Sequence, residues 1–599
     1  MCGILSYYSK AKITSKSLEN FKNSLKSIKH RGPDGEGIVL INTNSGNFKI
    51  INTNDTPNEF FSKNDFNDKD DFNLILGHRR LKIIDLSYKG HQPMNFNKSW
   101  LTFNGEMYNY IEIRNELSLL GYNFITSSDT EVLLKAYDCW GVKCLKKFNG
   151  MWSFVLWDGD KKEIIISNDR FGIKPLYKYH TQKVNIYFSE IKQIKFFKEE
   201  TITLNKKNCD FFLTTGYQPF ETETYFNEIS KFDKATYELI NLESGLSTID
   251  KYFYLDFHIN KSLSFSESIE KFNNLFQDAV SIRTRSDVEI GIAISGGVDS
   301  TLVLEKISEL ELYKSNNLQS FSAIFPNTLE DESFFINKLL EQFNLRSNFI
   351  NPIEFLDQES FKEHINAIEF PPSSMAYFSQ FILNKLISKS GVIVNLAGQG
   401  ADEIFGGYHK HIYMYLRSLI LRGKIIKYIY EAKSFSKLKK INLVILHKII
   451  LDDIVALYSF KLGLKKIDNR LLKYTFKIDK LSDYLIEDFN NLTLPIFLKA
   501  DDGNSMAHSV ETRLPFMDYR IVNFGFSIPE NFKINNGWNK YFLRSSLKKI
   551  NDEIKWRKDK KGFTSPFKEM IFKILNKVDL TEKEFREYSL NLFINNSRA

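Results

Sequence analysis

The hydrophobic pattern changes character once along the chain. Up to about residue 200, short runs of β-branched and aromatic residues alternate with Gly, Asn and Asp turns: FNLILGHRRLKIIDL (72–86), WLTFNGEMYNY (100–110), MWSFVLWDGDKKEIIISNDR (151–170) and KVNIYFSE (183–190). Such runs predict strands joined by tight turns. The Asn- and Asp-rich stretch 42–71 reads as a long surface hairpin or loop with no chemistry of its own. Past about residue 260 the period lengthens. IEKFNNLFQDAV (269–280) and TLVLEKI (301–307) have helical spacing, whereas VEIGIAI (288–294), SFSAIF (320–325) and GVIVNLA (391–397) are continuous apolar runs, each followed by polar or Gly-rich residues. Strand, glycine turn, helix and strand again is the rhythm of a parallel sheet with crossover helices. Two domains of different class are therefore expected, over 1–215 and 257–599, with 216–256 connecting them.

Composition narrows the class. A chain of 599 residues, 43% hydrophobic and 26% charged, can bury a sizeable core, which excludes collagen-like, disordered and disulfide-stapled readings. Cys2, Cys139, Cys144 and Cys209 are too few and too irregular for a disulfide framework or a zinc site, which favours a reducing, cytoplasmic setting. The start, MCGILSYYSKAK, lacks the apolar core of a secretion signal. The apolar stretch 441–458 is interrupted by His447, Lys448, Asp452 and Asp453, so a buried helix is expected there rather than a membrane span. The net charge of +8 is modest, and the basic clusters at 548–549 and 555–561 suit solvated surface or phosphate binding better than nucleic acid.

Cys2 is the first residue with candidate chemistry. A small side chain at position two permits removal of Met1, leaving a cysteine whose own α-amine, with a pKa near ~8, can take the thiol proton. A cysteine there is by itself more often incidental. RGPDG (31–35), GHRRL (77–81), NGEMYN (104–109), SSDTEVLL (127–134), FNGMWSF (148–154) and NDRFGIKPLY (168–177) follow in order. Together with MCGI they resemble the glutaminase domain of class II glutamine amidotransferases, which are N-terminal nucleophile hydrolases. The resemblance implies Cys2 as nucleophile on the glutamine amide, and the Asn104 side chain with the Gly105 N–H as oxyanion hole. It implies Arg80 as the clamp on the substrate carboxylate, and Glu106 and Asp129 as the acids that hold its ammonium. Arg79 is expected to be a surface charge.

SGGVDS (295–300) follows an apolar strand and precedes a helix. Gly296 and Gly297 let backbone N–H groups approach an anion, Ser295 and Ser300 add hydroxyls, and the helix N-terminus favours negative charge. No Lys follows the second glycine, so this is not a Walker A loop. LAGQGADEIFGGYHK (396–410) adds acids between glycine turns, and Asp299 with Asp402 forms a natural pair of hard oxygen ligands for Mg²⁺. NSMAHSVETRLPFMDYR (504–520), GWNKYFLR (537–544) and RKDKKGFTSPF (557–567) come later, and Lys560 is a candidate for neutralising an α-phosphate.

SGGVDS resembles the pyrophosphate loop of ATP pyrophosphatases. The whole chain resembles glutamine-hydrolysing asparagine synthetases. That resemblance implies an α/β/β/α sandwich in front, a helix-rich parallel-sheet ATP-pyrophosphatase domain behind, and a protected path for ammonia between them. Aspartate would be activated as β-aspartyl-AMP and amidated, with glutamine, aspartate and ATP as ligands and no nucleic acid or membrane partner. Oligomeric state stays open, with a homodimer as one reading. Ile294, Ala323, Ala397 and Gly398 match positions lining adenine or ribose.

Two departures stand out. Gln399 occupies the place of a Glu assigned in the family to organising the acyl-adenylate and accepting a proton from ammonia, and Gly503 stands where a related branch has Arg. Amidation of another carboxylate, such as a sugar-linked acid, is therefore the alternative to aspartate, and a non-catalytic homologue a weaker one. An amidotransferase acting on a sugar phosphate would share the front half but not SGGVDS.

Overall fold

The computed structural model describes residues 2–60, 66–197, 202–255, 258–260, 262–314, 318–461, 480–558, 565–575 and 581–598. The front strands are β1 (Gly3–Ser9), β2 (Gly35–Ile41), β3 (Phe48–Ile51), β4 (Leu74–Arg80), β5 (Met94–Phe96), β6 (Ser99–Met107), β7 (Gly150–Asp158) and β8 (Glu163–Asn168). They continue with β9 (Tyr177–His180), β10 (Val184–Phe188), β11 (Ile229–Lys231), β12 (Thr236–Asn241) and β13 (Ser247–Lys251). They form two antiparallel sheets, in the orders β11-β9-β10-β1-β4-β2-β3 and β13-β12-β8-β7-β6-β5.

Side chains alternate faces along a strand, and here both faces are apolar. On β2, Ile38 and Leu40 cluster with Phe21 and Leu25 of the helix Ser15–Lys26, while Val39 and Ile41 join the layer between the sheets. On β7, Val155 and Trp157 enter that same inner layer, and Phe154 and Leu156 cluster with Val132, Leu133 and Ala136 of the helix Asp129–Trp140. Helix, sheet, sheet, helix is the sandwich the resemblance implies.

Residues 216–256 do more than connect. They supply β11 to the first sheet and β12 and β13 to the second, so antiparallel pairing extends to residue 251. The alternation in TYELIN, buried at Thr236, Glu238 and Ile240, is the strand signal. The 42–71 stretch begins as the β2–β3 hairpin.

Behind lies a parallel sheet of β14 (Ile290–Ala293), β15 (Gln319–Ala323), β16 (Ser347–Ile350), β17 (Val394–Leu396) and β18 (Glu511–Arg513), in the order β16-β15-β14-β17-β18. Helices cover both faces, as a parallel sheet requires. Phe272 and Phe276 of the helix Phe265–Arg283 pack with Ile290, Ile292 and Leu396, and on the other side Phe321 meets Leu383 and Ile387 of the helix Ala376–Lys389. Apolar clusters cross between the halves, joining Tyr177, Phe188 and Ile191 to Phe361, Phe370 and Phe378, and Leu81, Ile83 and Phe171 to the cluster of Phe272 and Phe276.

The 441–458 stretch is helical, within Leu443–Lys461, but not the buried helix expected. Its 3.6-residue period puts Leu446, Ile450 and Leu457 on one buried stripe, and Val444, Ile445, Ile449, Leu451, Val455 and Tyr458 face outward. Among the described residues no helix is long and apolar enough to cross a membrane.

Candidate active sites

In the front half, strand alternation assembles the site. β1 pairs with β4 so that Gly3 lies opposite Arg79 and Ile4 opposite His78; one further step sets Cys2 against Arg80. Ile4 and Leu76 belong to the inner layer, so Cys2 and Arg80 continue that face, and Trp100 sets the same face for Asn104 and Glu106 on β6. The four side chains thus converge at one end of the space between the sheets.

Asn104 is fully buried, and neither its Nδ2 nor its Oδ1 has a hydrogen-bond partner among the described residues. At Gly105 the backbone passes so close to the Met151 carbonyl that no side chain fits. Arg80 donates from Nη1 to the Ser87 carbonyl at 2.7 Å and from Nη2 to the Asp85 carbonyl. These carbonyls fix the guanidinium without neutralising it. Asp129 opens its helix and accepts from the Met107 N–H at 2.9 Å. Glu106 lies 3.5 Å from Nη2 of Arg513, which arrives from β18 of the back half.

Burial sets the protonation energetics. It pushes the Cys2 thiol up to about 11 and Asp129 up to about 6. Glu106 is raised well above the usual carboxylate range by burial and by repulsion from Glu511, with Arg513 opposing. Arg79 is not the surface charge expected. Odd positions of β4 face the helix Ser15–Lys26, so Arg79 is buried, donating to the Leu25 carbonyl at 3.3 Å and pairing with Glu36 at 2.5 Å and Asp55 at 2.6 Å. Asp55 thereby gives the 42–71 stretch a structural role.

The back site lies where a doubly wound sheet places its ligands, outside the carboxyl ends of strands at a switch point. From β14 the chain proceeds to β15 on one side, while β17 pairs on the other, and all three run parallel. Ile294 follows β14, Ala323 ends β15, and Ala397 follows β17, so all three sit on that edge. Gly296 adopts φ +64°, a conformation glycine tolerates, and Gly297 caps the helix Val298–Ile307. Ser300 Oγ accepts from the Ser295 N–H at 3.2 Å, which folds the turn.

The second turn interlocks with the first. A Cβ on Gly398 would lie 2.9 Å from both Asp299 Cβ and Ser300 N, so only glycine allows this contact. Asp299 Oδ2 and Asp402 Oδ1 each lie 2.5 Å from Nζ of Lys540, a buried residue in GWNKYFLR. Two carboxylates converging on one ammonium can share a cation, which fits the pair expected to hold Mg²⁺. Among the described residues no group of three or more His, Cys, Asp or Glu could hold a metal. Gln399 Nε2 donates to Asp501 Oδ1 at 3.2 Å. Gly503 has a packing reason: a Cβ there would lie 2.7 Å from the Ala367 carbonyl oxygen on the facing helix Gln358–Ile368. Lys560 lies outside the described residues.

Sequence reasoning missed Lys540, Asp501 and Arg31. Lys540 and Arg31 stand inside quoted motifs, but only the fold reveals what they touch. Arg31 donates from Nε to the Cys2 carbonyl at 3.1 Å and from Nη1 to Glu190 at 3.0 Å and to Asp502 at 2.8 Å.

A thiol at position two on the inner face of an α/β/β/α sandwich, joined in one chain to a glycine turn at the switch point of a parallel sheet, is the arrangement of a two-domain, glutamine-hydrolysing ligase, and the family matches bear out that class. Residues 63–253 match the glutamine amidotransferase domain family and residues 271–591 the asparagine synthase family. The chain belongs to the asparagine synthase family. It is 32% identical over 443 residues to putative asparagine synthetase (glutamine-hydrolyzing) 2 of Methanocaldococcus jannaschii, covering 70% of this chain and 78% of that one. Asparagine synthetase (glutamine-hydrolyzing) 1 of Bacillus subtilis is 26% identical over 616 residues, covering 96% and 89%.

Proposed function

We propose that the protein makes asparagine from aspartate, with glutamine as nitrogen donor and ATP cleaved to AMP and pyrophosphate. The observation that carries the reading is the interlock of the two back turns, which brings SGGVDS, Asp299 and Asp402 to one edge in a chain that also carries Cys2. In the front site the freed α-amine of Cys2 takes the thiol proton, and the thiolate attacks the side-chain carbonyl of glutamine. The Asn104 amide N–H and the Gly105 N–H stabilise the oxyanion, an effect worth roughly 3–4 kcal/mol per donor. Arg80 holds the substrate carboxylate, and Glu106 with Asp129 its ammonium.

In the back site the N–H groups and hydroxyls of residues 295–300 bind the phosphates. Ile294, Ala323, Ala397 and Gly398 line the nucleoside. Asp299 and Asp402 would hold Mg²⁺, which when bound offsets pyrophosphate charge. Lys540 releases them to the metal and turns to a phosphate, and Lys560 neutralises the α-phosphate. Gln399 orients the acyl-adenylate through its amide. The four free thiols suit a reducing cytoplasm.

The test is aspartate-dependent exchange of labelled pyrophosphate into ATP, with mass spectrometry of the products. Asparagine, AMP and pyrophosphate are expected; ADP and phosphate would overturn the reading.

A further inference from the structure

We propose that the Asp501 carboxylate takes the proton from ammonia in the synthetase site, supplying the base that Gln399 cannot be. The proposal rests on the adenylating reading above. Gln399 sits in the turn after β17, at the switch point, and gives its Nε2 hydrogen to Asp501 Oδ1. Gln380, from the helix Ala376–Lys389, donates an amide hydrogen to the same oxygen. Two neutral amides therefore hold the carboxylate in place and leave it its charge. With its Nε2 directed at Asp501, Gln399 keeps Oε1 buried and without a hydrogen-bond partner among the described residues. An acceptor oxygen and a carboxylate side by side suit a nitrogen that carries several hydrogens.

Position favours the same role. Asp501 lies on the helix Leu494–Met506, on the side toward the front half: the adjacent Asp502 is paired with Arg31 at 2.8 Å and lies 3.7 Å from Lys174, both front residues. Arg31 in turn holds the Cys2 carbonyl. The helix that carries Asp501 is thus tied, through Asp502 and Arg31, to the backbone of Cys2. The charged groups that act on it are Lys174 and Asp502, themselves surrounded by Arg31, Glu190, Asp169 and Glu511; Gln380, Gln399 and Thr512 are its neutral neighbours. On the same helix Lys499 turns away to the Glu369 carbonyl, and His364 of the facing helix meets Asn504 instead. Burial and Asp502 raise Asp501 to about 7 against the pull of Lys174, and a base with such a pKa suits neutral pH.

The step balances without a further reactant. The ammonia lone pair forms a C–N bond to the acyl carbon, the C–O bond to AMP breaks with its electron pair leaving on AMP, and a nitrogen proton passes to Asp501. Glu403, also buried, hydrogen-bonds the Tyr408 hydroxyl at 2.7 Å and is the competing acid.

The experiment uses the full chain with ammonium chloride, aspartate and ATP, and rates corrected for free ammonia. Asp501→Asn keeps an oxygen for the Gln399 amide but loses the base. Pyrophosphate exchange should persist, asparagine formation should fall ~10²–10⁴-fold, and the rise in rate through pH ~7 should vanish. Asp501→Glu should restore part of both, and thermal melting reports folding. Wild-type rate and pH profile in Asp501→Asn would overturn the proposal, as would loss of the pH limb in Glu403→Gln alone. Absence of aspartate-dependent exchange in the wild type would instead overturn the adenylating reading, and this proposal with it.

Discussion

Arg31 and Asp502 stand 471 positions apart in sequence, yet the guanidinium of one grips the carboxylate of the other with two bonds, at 2.8 and 3.2 Å. Both are buried, and the same arginine holds the carbonyl of Cys2. A single side chain thus ties the backbone of Cys2 to the helix that carries Asp501. Breaking a buried pair from one side leaves an uncompensated charge, at a cost of ~3–5 kcal/mol. Arg31→Met should lower stability by about that amount and waste ammonia, with glutamate formed exceeding asparagine. Arg31→Lys, which keeps charge but loses the fork, should fall between. Denaturant midpoints and product ratios measure both.

Cys2→Ala should abolish glutamine hydrolysis and leave ammonium-supported synthesis, because in the proposed mechanism the thiol acts only in releasing ammonia. The α-amine matters as much. With the thiol at about 11, about one in ten thousand is thiolate at pH 7, so a nearby base is needed. Protein that retains Met1, identified by intact mass, should show no glutaminase activity.

The pH dependence of glutamine binding follows from Asp129. A carboxylate attracts the substrate ammonium only when ionised, and burial places Asp129 at about 6. As pH falls through that value the group takes a proton, and KM for glutamine should rise by up to tenfold per further unit. Above it the part of the attraction that Asp129 supplies is complete. Asp129→Asn should raise KM at every pH and flatten this limb in steady-state kinetics.

Gly398→Ala tests the interlocked turns. The new methyl would lie 2.9 Å from Asp299 Cβ and from Ser300 N, so one turn must move. KM for ATP in pyrophosphate exchange should rise at least ~10-fold, since a 1.4 kcal/mol loss already gives that factor. Glutaminase activity should be unchanged, because the strained contact lies wholly in the back half.

The sequence alone determined the period of each segment, and with it the strands, the helix after SGGVDS and the change from antiparallel to parallel architecture. Period-2 alternation even specified that Asn104 and Glu106 share a face of β6. Local signals are enough there, because backbone geometry assigns side chains to faces without knowing what lies opposite. Which strands become neighbours is another matter. The convergence of Cys2, Arg80 and Asn104 depends on β1 pairing β4 and on one sheet stacking against the other. The burial of Arg79 depends on a helix that covers its face, and the strand role of 216–256 on open edges in two sheets. Lys540 between Asp299 and Asp402, and Asp501 against Gln399, are contacts across 138 to 241 and 102 positions. Charge pairs at such separations leave no periodic trace, because each residue type is equally at home on a solvated surface. Only the packed fold, which removes water from them together, makes the pairing compulsory.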